Sequence, residues 1–322
     1  MKVLITASGG GHTAYAIAVG MRLRGVADLV FVVRRGDRLS KARIRRLLGA
    51  SVKIVETMEG RGPFDPFYKM VPGLSTSFAR LLTHRNLEAD IAICTGHNHS
   101  IPPCIASWLR GSYVVSLEAV DRFVTRGRAI SALSHISAFV ALQWPEQRLL
   151  YDRGLLVGPV YEDPLYEAWD GGYILVTGGT YGHKPLFDAL LKAGVTGVVL
   201  QAGERLYERY SSIKGWKVLK YAVDFHRLVA GARIVVTHQG VTAVTAALGY
   251  GKPVVIAYNP EFRLAAGPRD ALLLGRRLGA PVILDPSPEN VVDALERAKT
   301  PRKISVKGAD LLAKAITSLE PR

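Results

Sequence analysis

Short apolar runs with a β-branched bias recur along this chain, separated by stretches long enough to form a helix and return. In the first half the runs are Lys2–Ala7, Leu29–Arg34, Val52–Glu56, Ile91–Thr95, Tyr113–Leu117 and Ala138–Gln143. Strands covered by helices on both faces read as continuous apolar runs, so this order predicts a parallel sheet. The periodicity lapses around Gly158-Pro159-Val160-Tyr161-Glu162-Asp163-Pro164, where a linker is expected. The alternation resumes with Tyr173–Thr177, Gly197–Gln201, Lys217–Tyr221, Arg233–Thr237, Val254–Ala257 and Val282–Leu284. Helices are predicted over Ala14–Arg24, Leu186–Ala193, Thr242–Gly249 and Asp270–Leu278, and amphipathic Ala309–Leu319 is expected to pack back on the first domain. The predicted fold class is α/β, with two doubly wound parallel-sheet domains, residues 1–160 and 161–322, facing a cleft.

Length and composition agree with that division. A chain of 322 residues is long for one core, and 48% hydrophobic with 21% charged residues is a globular composition. No apolar run approaches the roughly 20 residues of a membrane-spanning helix. The first strand starts almost at Met1, so no signal peptide is expected and the chain is read as cytoplasmic. The net charge of +15 fits an anionic partner: nucleic acid, a membrane surface or a phosphorylated substrate. Much of it lies in Arg34, Arg35, Arg38, Lys41, Arg43, Arg45 and Arg46, and in Arg122, Arg126 and Arg128. No interleaved aromatic and basic motif speaks for nucleic acid. Cys94 and Cys104 lack metal-ligand spacing and read as buried small residues rather than a disulfide.

The candidate chemistry sits at strand ends. Gly9-Gly10-Gly11-His12-Thr13 follows the first strand and opens a helix, so free N–H groups and the positive end of the helix dipole are expected there. His12 titrates in the range a general base needs, unless it merely caps the helix. Glu118, at the end of another strand, is expected to orient His12, to act as the base itself, or to pair with Arg122. His97 and His99 flank Asn98; two histidines without carboxylates or cysteines are thin evidence for a metal, and none is assigned. In the second half Gly178-Gly179-Thr180 and Gly240-Val241-Thr242 are turns suited to a diphosphate, with His238 beside the second. The basic helix around Lys41–Arg46 is expected to meet an anionic bilayer. The long loop Met58–Ser75 is expected to face substrate, with Phe64, Phe67, Tyr68 and Met70 dipping into the membrane interface or packing on their own domain.

Several of these stretches together resemble a known family. Ser8-Gly9-Gly10-Gly11-His12-Thr13, Thr95-Gly96-His97-Asn98 with Ile101-Pro102-Pro103-Cys104, Leu117-Glu118-Ala119-Val120-Asp121-Arg122, and Gln143-Trp144-Pro145-Glu146 with Tyr151 and Gly158 look like the membrane-associated subunit of the eukaryotic UDP-N-acetylglucosamine transferase of asparagine-linked glycosylation. The glycine-histidine turn is also similar to that of the bacterial lipid II-forming transferase. Val176-Thr177-Gly178-Gly179-Thr180, Thr237-His238-Gln239-Gly240 and Gly251-Lys252-Pro253 look like the catalytic partner subunit, so the chain resembles the two subunits fused, as in single-chain archaeal versions. The resemblance implies two Rossmann-like domains of the GT-B type. It implies inverting transfer of N-acetylglucosamine from UDP to a polyprenyl- or dolichyl-diphosphate sugar at the inner face of the membrane, with no metal or cofactor beyond the donor.

His12 and Glu118 are the expected catalytic residues. Gly10, Gly11, Thr13, His97, Asn98 and Arg122 are expected on the acceptor. Gly178, Gly179, Thr180, His238, Gly240, Val241, Thr242 and Asp270 are expected on the donor. The chain departs from the family at Ala246, where a glutamate holds the ribose, and at Gly267-Pro268, where a His-Gln pair falls; Asp270 could replace a nearby acid. The alternatives are a UDP-N-acetylglucosamine 2-epimerase and a degenerate module that only binds a UDP-sugar or a membrane.

Overall fold

The computed structural model describes residues 1–57, 75, 78, 87–222, 224–261, 266–301 and 307–319. The loop Met58–Ser75 and its aromatic patch lie outside the described residues, Ser75 excepted. The chain divides into two units, Met1–Glu162 with Val306–Arg322, and Asp163–Ser305. The break falls inside the stretch where the apolar periodicity lapses.

In the first unit the elements are β1 (Lys2–Ala7), α1 (Gly10–Leu23), β2 (Asp28–Val33), α2 (Arg38–Leu48), β3 (Lys53–Glu56), β4 (Ile91–Cys94), α3 (Ile101–Leu109), β5 (Tyr113–Leu117), α4 (Arg128–Leu133), β6 (Ser137–Leu142) and β7 (Gly154–Leu156). The sheet is parallel throughout, in the order β3-β2-β1-β4-β5-β6-β7. Its central strands are largely apolar and almost wholly buried, as a strand covered on both faces requires. Strand order reverses between β1 and β4, which opens a crevice at their carboxyl ends. β7 lies beyond the six strands the periodicity indicates; Gly154-Leu155-Leu156 is too short to carry a period, and it pairs only along the edge at β6.

In the second unit the elements are β8 (Tyr173–Thr177), α5 (Lys184–Lys192), β9 (Val198–Gln201), α6 (Tyr207–Tyr210), β10 (Trp216–Leu219), α7 (Phe225–Gly231), β11 (Ala232–Thr237), α8 (Val241–Val244), β12 (Val254–Ala257), α9 (Pro268–Leu278), β13 (Val282–Ile283) and α10 (Pro288–Arg297). Their parallel order is β10-β9-β8-β11-β12-β13, so the switch lies between β8 and β11. α8 runs on into one π-helical stretch, Thr245–Gly249. The buried ammonium of Lys252, just before β12, donates to the Trp169 carbonyl at 2.6 Å, fastening the segment that leads into β8.

The last helix, α11 (Gly308–Thr317), belongs to the first unit. It packs on α1, where Arg22 Nε meets Asp310 Oδ1 at 2.7 Å. Its first residue comes close enough for Gly308 N–H to donate to the Pro159 carbonyl at 3.0 Å. Among the described residues no helix is long and apolar enough to cross a membrane.

Candidate functional site

The crevice of the first unit is built from the loops after β1 and β4. After β1 the chain turns through Gly9 (φ +56°) and Gly10 (φ +43°), left-handed conformations that side chains resist. α1 therefore starts at once, with Gly10, Gly11 and His12 as its first three residues and no side chain capping them. Their N–H groups have no acceptor within the helix. The turn is held from behind: Asp37 Oδ2 accepts from Gly9 N–H at 2.9 Å, and Thr13 Oγ1 lies 2.7 Å from Ser40 Oγ. Thr13 is fully buried in that contact, so it braces the turn and does not face the crevice as expected for an acceptor residue. Arg43 reaches the Gly10 carbonyl at 3.3 Å and Glu162 Oε2 at 2.7 Å.

His12 is half-buried, and its Nδ1 lies 2.6 Å from the Thr95 carbonyl at the end of β4. A carbonyl only accepts, so Nδ1 carries the proton and Nε2 the lone pair. The Thr95 carbonyl is itself fixed. Thr95 N–H donates to Thr6 Oγ1 at 3.1 Å, Thr95 Oγ1 donates to the Thr6 carbonyl at 2.7 Å, and Ser100 Oγ lies 2.9 Å from Thr6 Oγ1. Burial lowers the His12 pKa, the Thr95 bond opposes that, and the nearby Arg122 charge lowers it further. The ring also lies against Gly96 (φ +103°), where a Cβ would sit 2.7 Å from His12 Cε1.

His97 stands beside His12, ring centroids 6.0 Å apart, and has positive φ (+73°), a strained backbone for a residue with a side chain. Its Nδ1 and the Asn98 Oδ1 are buried without a hydrogen-bond partner. Burial, with His99, His12 and Arg34 adding to it, holds the His97 pKa well below that of a free histidine. His99, fully buried and 5.5 Å from His97 between centroids, is pushed down to about 3 by burial and stays neutral. Among the described residues no group of three or more His, Cys, Asp or Glu is placed to hold a metal ion.

Glu118 is not brought to His12. Its fully buried carboxylate accepts from Ala119 N–H at 2.7 Å, from Gly127 N–H at 2.9 Å and from the Tyr151 hydroxyl. Burial raises its pKa against those three bonds. It anchors the loop 119–127 that carries Arg122, in place of the base or orienting group expected. The Gln-Trp-Pro stretch clasps the same loop. Gln143 Nε2 donates to the Glu118 carbonyl at 2.6 Å, Trp144 Nε1 to Val120 at 2.7 Å, and Gln147 Nε2 to Ala119 at 2.9 Å and Arg122 at 2.6 Å. Trp144 stacks on Phe123, centroids 5.8 Å apart.

The second unit repeats the arrangement with the loops exchanged. His238 follows β11, and its ring lies against Gly179 (φ +70°) after β8, where a Cβ would meet His238 Cε1 at 2.7 Å. Burial, with His183 nearby, pushes the His238 pKa down to about 4. The Gly178–Thr180 turn closes tightly, with Thr177 Oγ1 accepting from Gly179 N–H at 3.1 Å. Half-exposed Thr242 and buried Val241 open α8 after Gly240 (φ +145°). Asp270 is fully buried and accepts from Gly267 N–H at 3.1 Å, capping its own helix. Ala246 is fully buried as well.

No family model matches the chain. It is 25% identical over 183 residues to UDP-N-acetylglucosamine transferase subunit ALG14 of Rattus norvegicus, covering 50% of this chain and 83% of that protein. It is 25% identical over 308 residues to the UDP-N-acetylglucosamine–N-acetylmuramyl-(pentapeptide) pyrophosphoryl-undecaprenol N-acetylglucosamine transferase of Salinibacter ruber, covering 86% of this chain and 81% of that one. The structure matches MurG of Acinetobacter baumannii over 100% of this chain and 96% of that one, with a TM-score of 0.59 at 17% identity. The fold is of the GT-B type. A UDP-N-acetylglucosamine 2-epimerase from Rickettsia bellii shares it, with a TM-score of 0.65 at 13% identity over 98% of this chain and 95% of that one. That likeness is one of fold alone.

Proposed function

We propose that this chain is an inverting glycosyltransferase that moves N-acetylglucosamine from UDP-N-acetylglucosamine to a polyprenyl- or dolichyl-diphosphate sugar. The observation that carries the reading is the His12–Thr95 pair, 2.6 Å apart, which leaves Nε2 unprotonated beside a turn of free N–H groups. Both relatives at 25% identity are named as N-acetylglucosamine transferases, one of them acting on a pyrophosphoryl-undecaprenol substrate. In this reading Nε2 takes the proton of the acceptor hydroxyl as its oxygen attacks the anomeric carbon and the bond to UDP breaks. A positioned base of this kind supplies roughly two to four powers of ten in rate. The departing diphosphate is received by the N–H groups of Thr180 and Gly240–Thr242, with neutral His238 as a further donor.

The lipid tail of the acceptor places the enzyme at the cytoplasmic face of a membrane, held peripherally. Of the α2 cations, Lys41 pairs with Glu56 and Arg43 with Glu162, so the exposed Arg38 and Arg45 are the ones that meet anionic lipid. Each adds on the order of 1 kcal/mol near such a surface. The test is transfer of radiolabelled sugar from UDP-N-acetylglucosamine to a short-chain polyprenyl-diphosphate N-acetylglucosamine, with the donor alone as control. A labelled lipid-linked product is expected; an epimerised donor with no transfer would contradict the reading.

A further inference from the structure

Arg34 stands at the carboxyl end of β2. Val33 is in register with Ala7, so Arg34 is level with Ser8, one residue before the glycine turn. Its side chain is half-buried, and no hydrogen bond or ion pair to another described residue holds the guanidinium. The nearby acids are engaged elsewhere. Glu56, which pairs with Val33 across the sheet, is taken by Lys41 and by Gly36 N–H, and Asp37 accepts from Gly9 N–H, Ser40 N–H and Ser40 Oγ. Ser8 is only 7% exposed, and its hydroxyl has no partner. A half-buried cation without a counter-ion among the described residues, an unpartnered buried hydroxyl and the uncapped start of the 14-residue α1 therefore lie at the carboxyl ends of two paired strands, β1 and β2. Each is a costly arrangement alone, and one anion would satisfy all three.

We propose that Arg34 and the Ser8 hydroxyl, with the N–H groups of Gly10 and Gly11, form the subsite for the acceptor's diphosphate. This rests on the transferase reading above and adds to it two residues, one of them the recognition charge. A guanidinium suits the role because its planar fork grips two phosphate oxygens at once. Lipid-linked diphosphate and nucleoside diphosphate share this chemistry, and the subsite is assigned to the former because it lies in the unit that carries His12.

The experiment is calorimetric titration of the purified full chain with geranyl diphosphate and, separately, with UDP. Wild type binds both. Arg34→Gln, checked to melt with wild type, is expected to weaken geranyl diphosphate by about tenfold or more while leaving UDP unchanged. Arg34→Lys is expected to restore part of the loss, and Ser8→Ala to lose less than Arg34→Gln. Wild type failing to bind geranyl diphosphate, or Arg34→Gln binding it as tightly as wild type, overturns the subsite. Arg34-dependent binding without any sugar transfer would leave the subsite standing and remove the transferase reading. Sugar transfer with an acceptor KM unmoved by Arg34→Gln would do the reverse.

Discussion

A histidine tied through one nitrogen to a backbone carbonyl has a defined task left for the other. With Nδ1–H committed to Thr95, His12 offers a lone pair at Nε2, and burial holds its pKa below the ordinary 6.5. A base acts in its neutral form, so kcat/KM should be flat from pH 7 to 8 and fall only as acid protonates the ring below 6.5. A profile with its half-maximum above pH 7 would contradict that assignment. Gly96→Ala tests the positioning: the added methyl would sit 2.7 Å from the ring and force it off the carbonyl. A displacement of this kind costs on the order of 10²-fold in kcat, with UDP affinity unchanged; unaltered turnover would show that ring placement is not critical. At this scale the position of His12, in the first turn of the helix after β1, was legible from the glycine turn before it. Glu118 was not, because its partners Gly127 and Tyr151 lie 9 and 33 residues away and nothing local announces them.

Among the elements, the strands were legible because burial on both faces leaves an unbroken apolar run, and the ends agree to within a few residues. The short edge strand β7 and the π-helical stretch after α8 were not, since neither has a period of its own. The Gln-Trp-Pro stretch was visible as a motif, but its work appears only in three dimensions. Three polar side chains there satisfy the carbonyls of a loop that has no regular structure to do so. Gln147→Ala removes the side-chain donor to the Ala119 and Arg122 carbonyls and the acceptor of Gln143 N–H, and should cost about 1–3 kcal/mol in denaturant unfolding. It should also raise the acceptor KM more than the donor KM. A stability within error of wild type would mean that the clasp contributes nothing.

For the whole molecule, the basic balance is only partly a surface property, since Lys41, Arg43 and Arg22 are spent on ion pairs within the first unit. Reversing Arg38 and Arg45 to Glu should abolish sedimentation with vesicles of anionic lipid, with turnover on a soluble short-chain acceptor retained. Equal sedimentation would move the membrane contact away from α2. Acid stability follows from the buried histidines. His183 is pushed down to about 4 and His99 to about 3, both below the unfolded value near 6.5. The unfolded chain therefore binds those protons first, and the stability they give is complete above about pH 6.5 and is lost as pH falls through that window. The melting temperature should drop between pH 7 and 4.5; a flat profile would contradict neutral burial.

The most direct measurement is single-turnover transfer of labelled N-acetylglucosamine to a short-chain polyprenyl-diphosphate acceptor by wild type and by His12→Ala. Product formation by wild type is expected, with a loss of roughly two to four powers of ten in the variant while UDP still binds. Equal rates in the two proteins, or no product from wild type, would contradict a histidine base at this turn.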